Sequence, residues 1–269
     1  MVPPTGSDRL RCSLLLFLAT STEKEGLVAA AKLQDIPCDS FKHPTIGSCY
    51  WLGRIGYETV IAVPPSRVGG RVVMGSHGRL GTAARGIRFQ EATAASGIIQ
   101  LGMAFGVNPE EQSLGDVLVS SELIPYDNRI VKRNVDGPPG YVVDYRDANR
   151  EPARESLIKL FDDEAKRNHP FKVYLGAMLS GNARIQSASF RDELVSKVPP
   201  GKDLIVGGEM EGVGLLAAST SADDPVWCVV KGISDFADGN DAMIAEHRQA
   251  ACLNAAVFVL SALQNRLPR

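Results

Sequence analysis

Short apolar segments alternate with helix-length stretches through most of this chain, and that alternation restricts its fold more than any other feature. Residues 13–19 (SLLLFLA), 97–101 (GIIQL) and 226–230 (VWCVV) are almost wholly apolar and too short for buried helices. Such runs fit strands buried on both faces, and strands of that kind need helices as covers. The spacing predicts strands at 13–19, 50–55, 58–63, 97–101, 114–124, 171–179, 203–207 and 226–230, with Gly56-Tyr57 turning a hairpin. Helices are expected from about Thr22 to Gln34, Thr82 to Ala95, Pro152 to Asn168, Ser187 to Val198, Val213 to Ser221 and Asp241 to Asn265. Residues 35–47 read as a loop. Residues 126–149, with Gly137-Pro138-Pro139-Gly140 and no period, read as a long excursion. The expected fold class is α/β: a single-domain, three-layer α/β/α with a central mixed, mostly parallel sheet. Residues 1–11, with Pro3, Pro4 and Gly6, are expected to form a flexible leader. Residues 12–269 then form one domain, a size a single α/β domain reaches.

Charge narrows the function classes. Lys and Arg number 29 against 31 Asp and Glu in 269 residues, so the chain is near neutral. General binding to nucleic acid or to a membrane surface would require a basic excess. A local basic pocket for a phosphorylated small molecule stays open. No run approaches the ~20 apolar residues of a membrane span. Arg9 and Arg11 before residues 13–19 imitate a short secretory signal, but a buried first strand accounts better for that run. Five cysteines (Cys12, Cys38, Cys49, Cys228, Cys252) are scattered without metal-ligand spacing, and read as reduced thiols of a cytoplasmic protein. The four histidines show no paired spacing, so no zinc site is expected.

The last quarter carries the chemistry. Gly208-Glu209-Met210-Glu211-Gly212 precedes an expected helix, and Lys231-Gly232-Ile233-Ser234-Asp235-Phe236-Ala237-Asp238 follows the strand 226–230. Two acids, Glu211 and Asp235, are thereby delivered to the ends of neighbouring elements. In a parallel sheet the carboxyl ends of strands are where ligands sit. A carboxylate can accept two hydrogen bonds from a vicinal diol, and a carboxyl group can protonate a leaving group. Glu209 reads as a helix-start charge, and Met210 either as core or as packing on a sugar face.

These motifs resemble the nucleoside phosphorylase/nucleosidase superfamily, most closely the methylthioadenosine/S-adenosylhomocysteine nucleosidases. Residues 98–107 (IIQLGMAFGV) resemble that family's central strand and glycine turn, 115–122 (GDVLVSSE) its next strand, and 176–182 (GAMLSGN) the strand before its purine-contacting loop. The motifs keep the family's order over roughly residues 12–265. The variant with GMAFG, GGEMEG and VKGISD is similar to nucleosidase effector domains of bacterial defence and signalling proteins.

The resemblance implies hydrolysis of the N-glycosidic bond of an adenine nucleoside or nucleotide. Asp235 is then the acid at the purine's seven-position nitrogen, oriented by Ser234, and Glu211 holds the ribose diol beside Met210. Glu23, just beyond the first strand, is where these nucleosidases place a glutamate that activates water. Without the resemblance, Asp235 reads as a turn cap, and Glu23 as an ordinary first-turn acid behind a Thr22 cap. Gly102, Met103, Phe105, Arg184 and Ile185 are expected to line the purine side. Phe105 stands where the family commonly has glycine, Met103 where it has a small polar residue, and Arg184 where it has an apolar or aromatic one. These departures place the 5′-substituent in question rather than the reaction.

Phosphorolysis is the alternative reaction. Phosphorylases of this fold bind phosphate with a Gly/Arg loop after the first strand, whereas this chain has no arginine between Arg11 and Arg54. A non-catalytic nucleotide sensor is the alternative outside enzymes. Gly75-Ser76-His77-Gly78-Arg79-Leu80-Gly81, with Arg85 and Arg88 beyond it, reads either as a tight turn with solvated arginines or as a phosphate loop, in which case Arg79 binds the substrate. Arg129 is a weaker phosphate candidate. No metal or organic cofactor is needed, since water, an acid and a carboxylate suffice. The expected partners are a small-molecule purine nucleoside or nucleotide and, from the resemblance, a second copy of the chain in a homodimer or larger homo-oligomer.

Overall fold

The computed structural model describes residues 10–145, 149–218 and 224–266, without the side chains of 241–246. Residues 1–9 of the expected leader lie outside the described residues, and Leu10 is buried. The elements run β1 (Leu14–Phe17), α1 (Ser21–Leu33), β2 (Asp39–His43), β3 (Gly47–Ile55), β4 (Glu58–Val63), β5 (Ser66–Val68), β6 (Arg71–Val73), α2 (Thr82–Thr93), β7 (Gly97–Gly106) and β8 (Val117–Pro125). They continue as β9 (Ile130–Arg133), β10 (Tyr141–Asp144), β11 (Glu151–Pro152), α3 (Glu155–Ala165), β12 (Val173–Ser180), α4 (Ala188–Lys197), β13 (Ile205–Glu209), a 3-10 helix (Gly212–Ala218), β14 (Trp227–Asp235) and α5 (Asp241–Asn265).

The expected α/β architecture is present, with a mixed central sheet. Apolar β1 lies between β4 and β7, parallel to both. Its four residues are all buried, as the uninterrupted Leu-Leu-Leu-Phe run requires. Helix α5 packs against both α1 and α3, and α2 packs with the 3-10 helix. The predicted hairpin forms, with β3 antiparallel to β4 and Ile55 opposite Glu58.

The sheet also folds back on itself. β14 pairs in parallel with β7 and antiparallel with β8. β12 pairs with both β8 and β13, and β13 pairs antiparallel with β7. The ring β7-β14-β8-β12-β13 is therefore closed. Closure fixes the site through register: Phe105 lies opposite Asp235 on β14 and opposite Gly208 on β13. Three strand ends thus meet at one point.

Local details depart from the sequence expectations. Part of the expected loop 35–47 is the edge strand β2, paired with β3. The excursion 126–149 contains the exposed hairpin β9–β10. The expected helix 213–221 is a short 3-10 helix within the described residues. Gly212 and Gly214 weaken an α-helix there, and side chains capture its first amides: Gly212 N donates to Glu209 and Val213 N to Ser180. Among the described residues no helix is long and apolar enough to cross a membrane.

Candidate active site

Glu23 is positioned by the start of α1. Thr20, not Thr22, caps the helix: its Oγ1 accepts from Glu23 N at 3.2 Å. Glu23 Oε2 in turn accepts from Thr20 N at 2.8 Å and Ala19 N at 2.5 Å, completing a capping box. Glu23 Oε1 accepts from Met103 N at 3.2 Å. Gly102 makes this approach possible, because a methyl group built there would overlap the Glu23 carboxyl. The result is a carboxylate 2% exposed and tied to two strand ends.

Lys231, fully buried in β14, is the centre of the cluster. Its Nζ donates to Glu211 Oε2 at 3.1 Å and lies 3.6 Å from Glu23 Oε1 and 3.9 Å from Glu209 Oε2. Three carboxylates thus surround one ammonium. Burial pushes Glu23 and Glu209 above the usual carboxylate range; Lys231 opposes that rise and Glu211 adds to it. For Lys231 burial acts downward, but Glu211, Glu23 and Glu209 together raise it, so the lysine stays charged. A lysine inside an apolar strand was the available signal, and its motif alone assigned it no role. Glu209 is likewise not an exposed helix-start charge. It is 4% exposed and accepts from Ser180 Oγ at 2.5 Å, Glu211 N at 2.9 Å and Gly212 N at 2.8 Å.

Glu211 Oε1 accepts from Gly75 N at 3.4 Å, and the Glu211 carbonyl accepts from Thr82 Oγ1 at 2.6 Å. Asp235 ends β14. Ser234 Oγ lies 2.8 Å from its Oδ2, and its Oδ1 accepts from Ala237 N at 2.9 Å.

A cavity of about 240 Å³ joins these groups. Glu23, Glu211 and Asp235 line it, as do Met103, Phe105, Arg184, Ile185, Met210 and Ser234. Gly102 lies behind Glu23 rather than at the surface. Arg79 is not among the residues that line this cavity; it lines a separate pocket beside α2. Thr22, read in the sequence as a helix cap, and Arg248, which no sequence motif includes, also line the first cavity. The arrangement sets carboxylates where they can stabilise a developing positive charge, and a further carboxyl group, Asp235, where it can exchange a proton with a bound molecule.

Asn182 ties the walls together. Its backbone N and Nδ2 donate to Asp127 Oδ2 at 2.8 and 3.1 Å. Its Oδ1 accepts from Ser76 N at 3.2 Å and Ser76 Oγ at 2.9 Å. One amide thus joins the loop bearing Arg184 and Ile185 to the loop whose Gly75 holds Glu211. Asn182→Asp sets two carboxylates against each other, and KM is expected to rise about tenfold. Adding Asp127→Asn removes the charge repulsion but cannot remake both bonds to the single oxygen that accepts them, so only part of the loss should return. Steady-state kinetics of both variants test this; an Asn182→Asp protein with unchanged KM would refute it.

The fold, the closed ring and this acid-lined cavity define an α/β protein of the nucleoside phosphorylase type. Residues 15–264 match the model of the phosphorylase superfamily, and the chain belongs to that superfamily. It is similar to a death domain-containing ATP nucleosidase of Amphimedon queenslandica, with 26% identity over 274 aligned positions and 93% of this chain covered. The chain spans 48% of that relative's length. Its structure is similar to a 5′-methylthioadenosine/S-adenosylhomocysteine nucleosidase from Neisseria meningitidis, solved with methylthio-immucillin-A (TM-score 0.70, 18% identity, covering 94% of this chain and 99% of that one). It is also similar to a futalosine hydrolase of Helicobacter pylori (TM-score 0.69, 18% identity, covering 94% and 97%).

Proposed function

We propose that the chain hydrolyses the N-glycosidic bond of an adenine nucleoside or nucleotide and releases the free base. The observation that carries this reading is the cavity itself, which Glu23, Glu211 and Asp235 line while Lys231 links the first two from behind. Asp235 donates a proton to the seven-position nitrogen of the purine as the glycosidic bond breaks. Glu211 accepts hydrogen bonds from the ribose hydroxyls and favours the oxocarbenium-like sugar. Glu23, with its basicity raised by burial, takes a proton from the attacking water.

Hydrolysis is favoured over phosphorolysis because a carboxylate occupies the end of β1, where an anion would be repelled. The similarity to an ATP nucleosidase and to adenosine-derivative nucleosidases supports an adenine substrate. The bacterial defence role expected from the motifs stays part of this reading. So do a cytoplasmic location and a homo-oligomer; the exposed apolar residues Val131 and Tyr141 of the β9–β10 hairpin bear on the oligomer alone.

Chromatography of products from ATP, AMP, adenosine and methylthioadenosine, with and without phosphate, tests the proposal. Free adenine without phosphate is the expected result. Phosphate-dependent formation of ribose 1-phosphate would make the chain a phosphorylase, and binding without base release would make it a sensor. For the diol grip, Glu211→Ala is expected to lower kcat/KM by about 10–100-fold, the value of about one charge-assisted hydrogen bond. A 2′-deoxy substrate should lose activity with wild type but little more with Glu211→Ala. Independent, additive losses would remove Glu211 from that role.

A further inference from the structure

A second pocket of about 210 Å³ opens beside α2, and its charge is one-sided. Arg79, Arg85 and Arg88 line it together with Ser48 and Ser66, and no lining residue is acidic. Ion pairs hold Arg150, Arg154, Arg167, Arg191 and Arg266, and none of these lies in this pocket. Arg85 is the informative member. It is only 8% exposed, yet it meets no carboxylate. Its guanidinium lies 5.5 Å from the Phe17 ring centre and 6.0 Å from that of Phe89, and its Nη2 donates to the Pro64 carbonyl. Aromatic faces and one carbonyl leave most of its five donors unused. Burial lowers its pKa to about 10, so the group remains a cation at neutral pH. A buried cation without a counter-charge is unfavourable, and buried arginines are ordinarily matched by an acid. Arg88, three residues along the helix, falls on the same face.

We propose that this pocket is a binding site for a phosphate-bearing anion, gripped by Arg79, Arg85 and Arg88 with hydroxyl help from Ser48 and Ser66. Guanidinium forks suit phosphate oxygens, and clustered arginines supply the charge. The anion has two possible sources. The segment 74–80 joins the two cavities: Met74 lines the first, Gly75 N holds Glu211, and Arg79 and Leu80 line the second. The phosphates are therefore either the tail of a nucleotide whose sugar lies against Glu211, or a free anion.

Calorimetric titration of the full chain with tripolyphosphate, at constant ionic strength set with chloride, tests the site independently of any nucleosidase activity. Saturable binding is expected. Arg79→Ser/Arg88→Ser, changed only at exposed positions, should weaken it by about tenfold or more, and Arg85→Met should weaken it further. Competition with ATP, together with a raised KM for ATP but not for adenosine in the double variant, assigns the anion to a nucleotide tail. Binding additive with ATP assigns it to a free phosphate. Absence of saturable binding to wild type, or binding equal in all three proteins, overturns the site.

Discussion

Asp235→Asn is expected to lower the rate of base release by about 10²–10⁴-fold, the usual range for a lost general acid, while leaving the fold and substrate affinity in place. The substitution is nearly isosteric. The amide oxygen can still accept from Ala237 N, and the amide nitrogen can still donate to Ser234 Oγ, so the local hydrogen bonds survive. What disappears is the ability to give up a proton as the purine departs. Single-turnover kinetics on adenosine or ATP, with thermal melting of both proteins, provide the measurement. A variant that keeps wild-type turnover would sink Asp235 as the acid and with it the proposed mechanism. A large fall in Tm would point instead to a turn cap. The active-site reading thus fails separately from the anion pocket, which does not use this residue.

The second large effect is on stability. Lys231→Met leaves Glu23, Glu209 and Glu211 buried with no cation. Breaking a buried ion pair by removing one partner destabilises by about 3–5 kcal/mol, so Tm should fall by roughly 6–20 °C. The sign of the pH dependence follows from the shifts. Glu23 and Glu209 are raised in the folded state, so the folded protein binds more protons above the usual carboxylate range. Their contribution to stability is complete at low pH and is lost as pH rises through the raised values. Lys231, also raised, contributes fully below its ordinary 10.5 and loses that contribution only in stronger alkali. Without the lysine the carboxylates rise further, so the Tm deficit of Lys231→Met should shrink from pH 8 to pH 5. Adding Glu209→Gln should recover part of it. A deficit that stays constant with pH would show that packing, not charge, explains the loss.

The sequence exposed the acids more readily than their surroundings. Glu23, Glu211 and Asp235 were legible because each sits where an apolar run stops, and a carboxylate at such a point is conspicuous. Lys231 stands in an equally apolar strand, but a single lysine there reads as the strand's end until its three carboxylate partners are placed around it. Those partners come from β13, from the turn after it and from α1, twenty residues away at the nearest for Glu211 and over two hundred for Glu23. Glu209 was misread for a related reason. Its position just ahead of the expected helix suggested a solvated helix start, whereas closure of the sheet buried it against Ser180. Arg79 lines the second pocket rather than the acid-lined cavity, a placement that its glycine-rich loop does not disclose in sequence.

By itself the chain determined the layered α/β fold, since runs such as Leu14–Phe17 can be satisfied only when both faces are covered. It also determined which acids stand at strand ends, because that is a matter of local order along the polypeptide. The tertiary structure alone decided that β14 pairs with both β7 and β8, and so brings Asp235, Phe105 and Gly208 to one point. It alone set three carboxylates around Lys231 and left three arginines together without an acid. The physical reason is common to all of these: strand register and charge pairing depend on distances between segments remote in sequence, which local pattern and propensity do not encode.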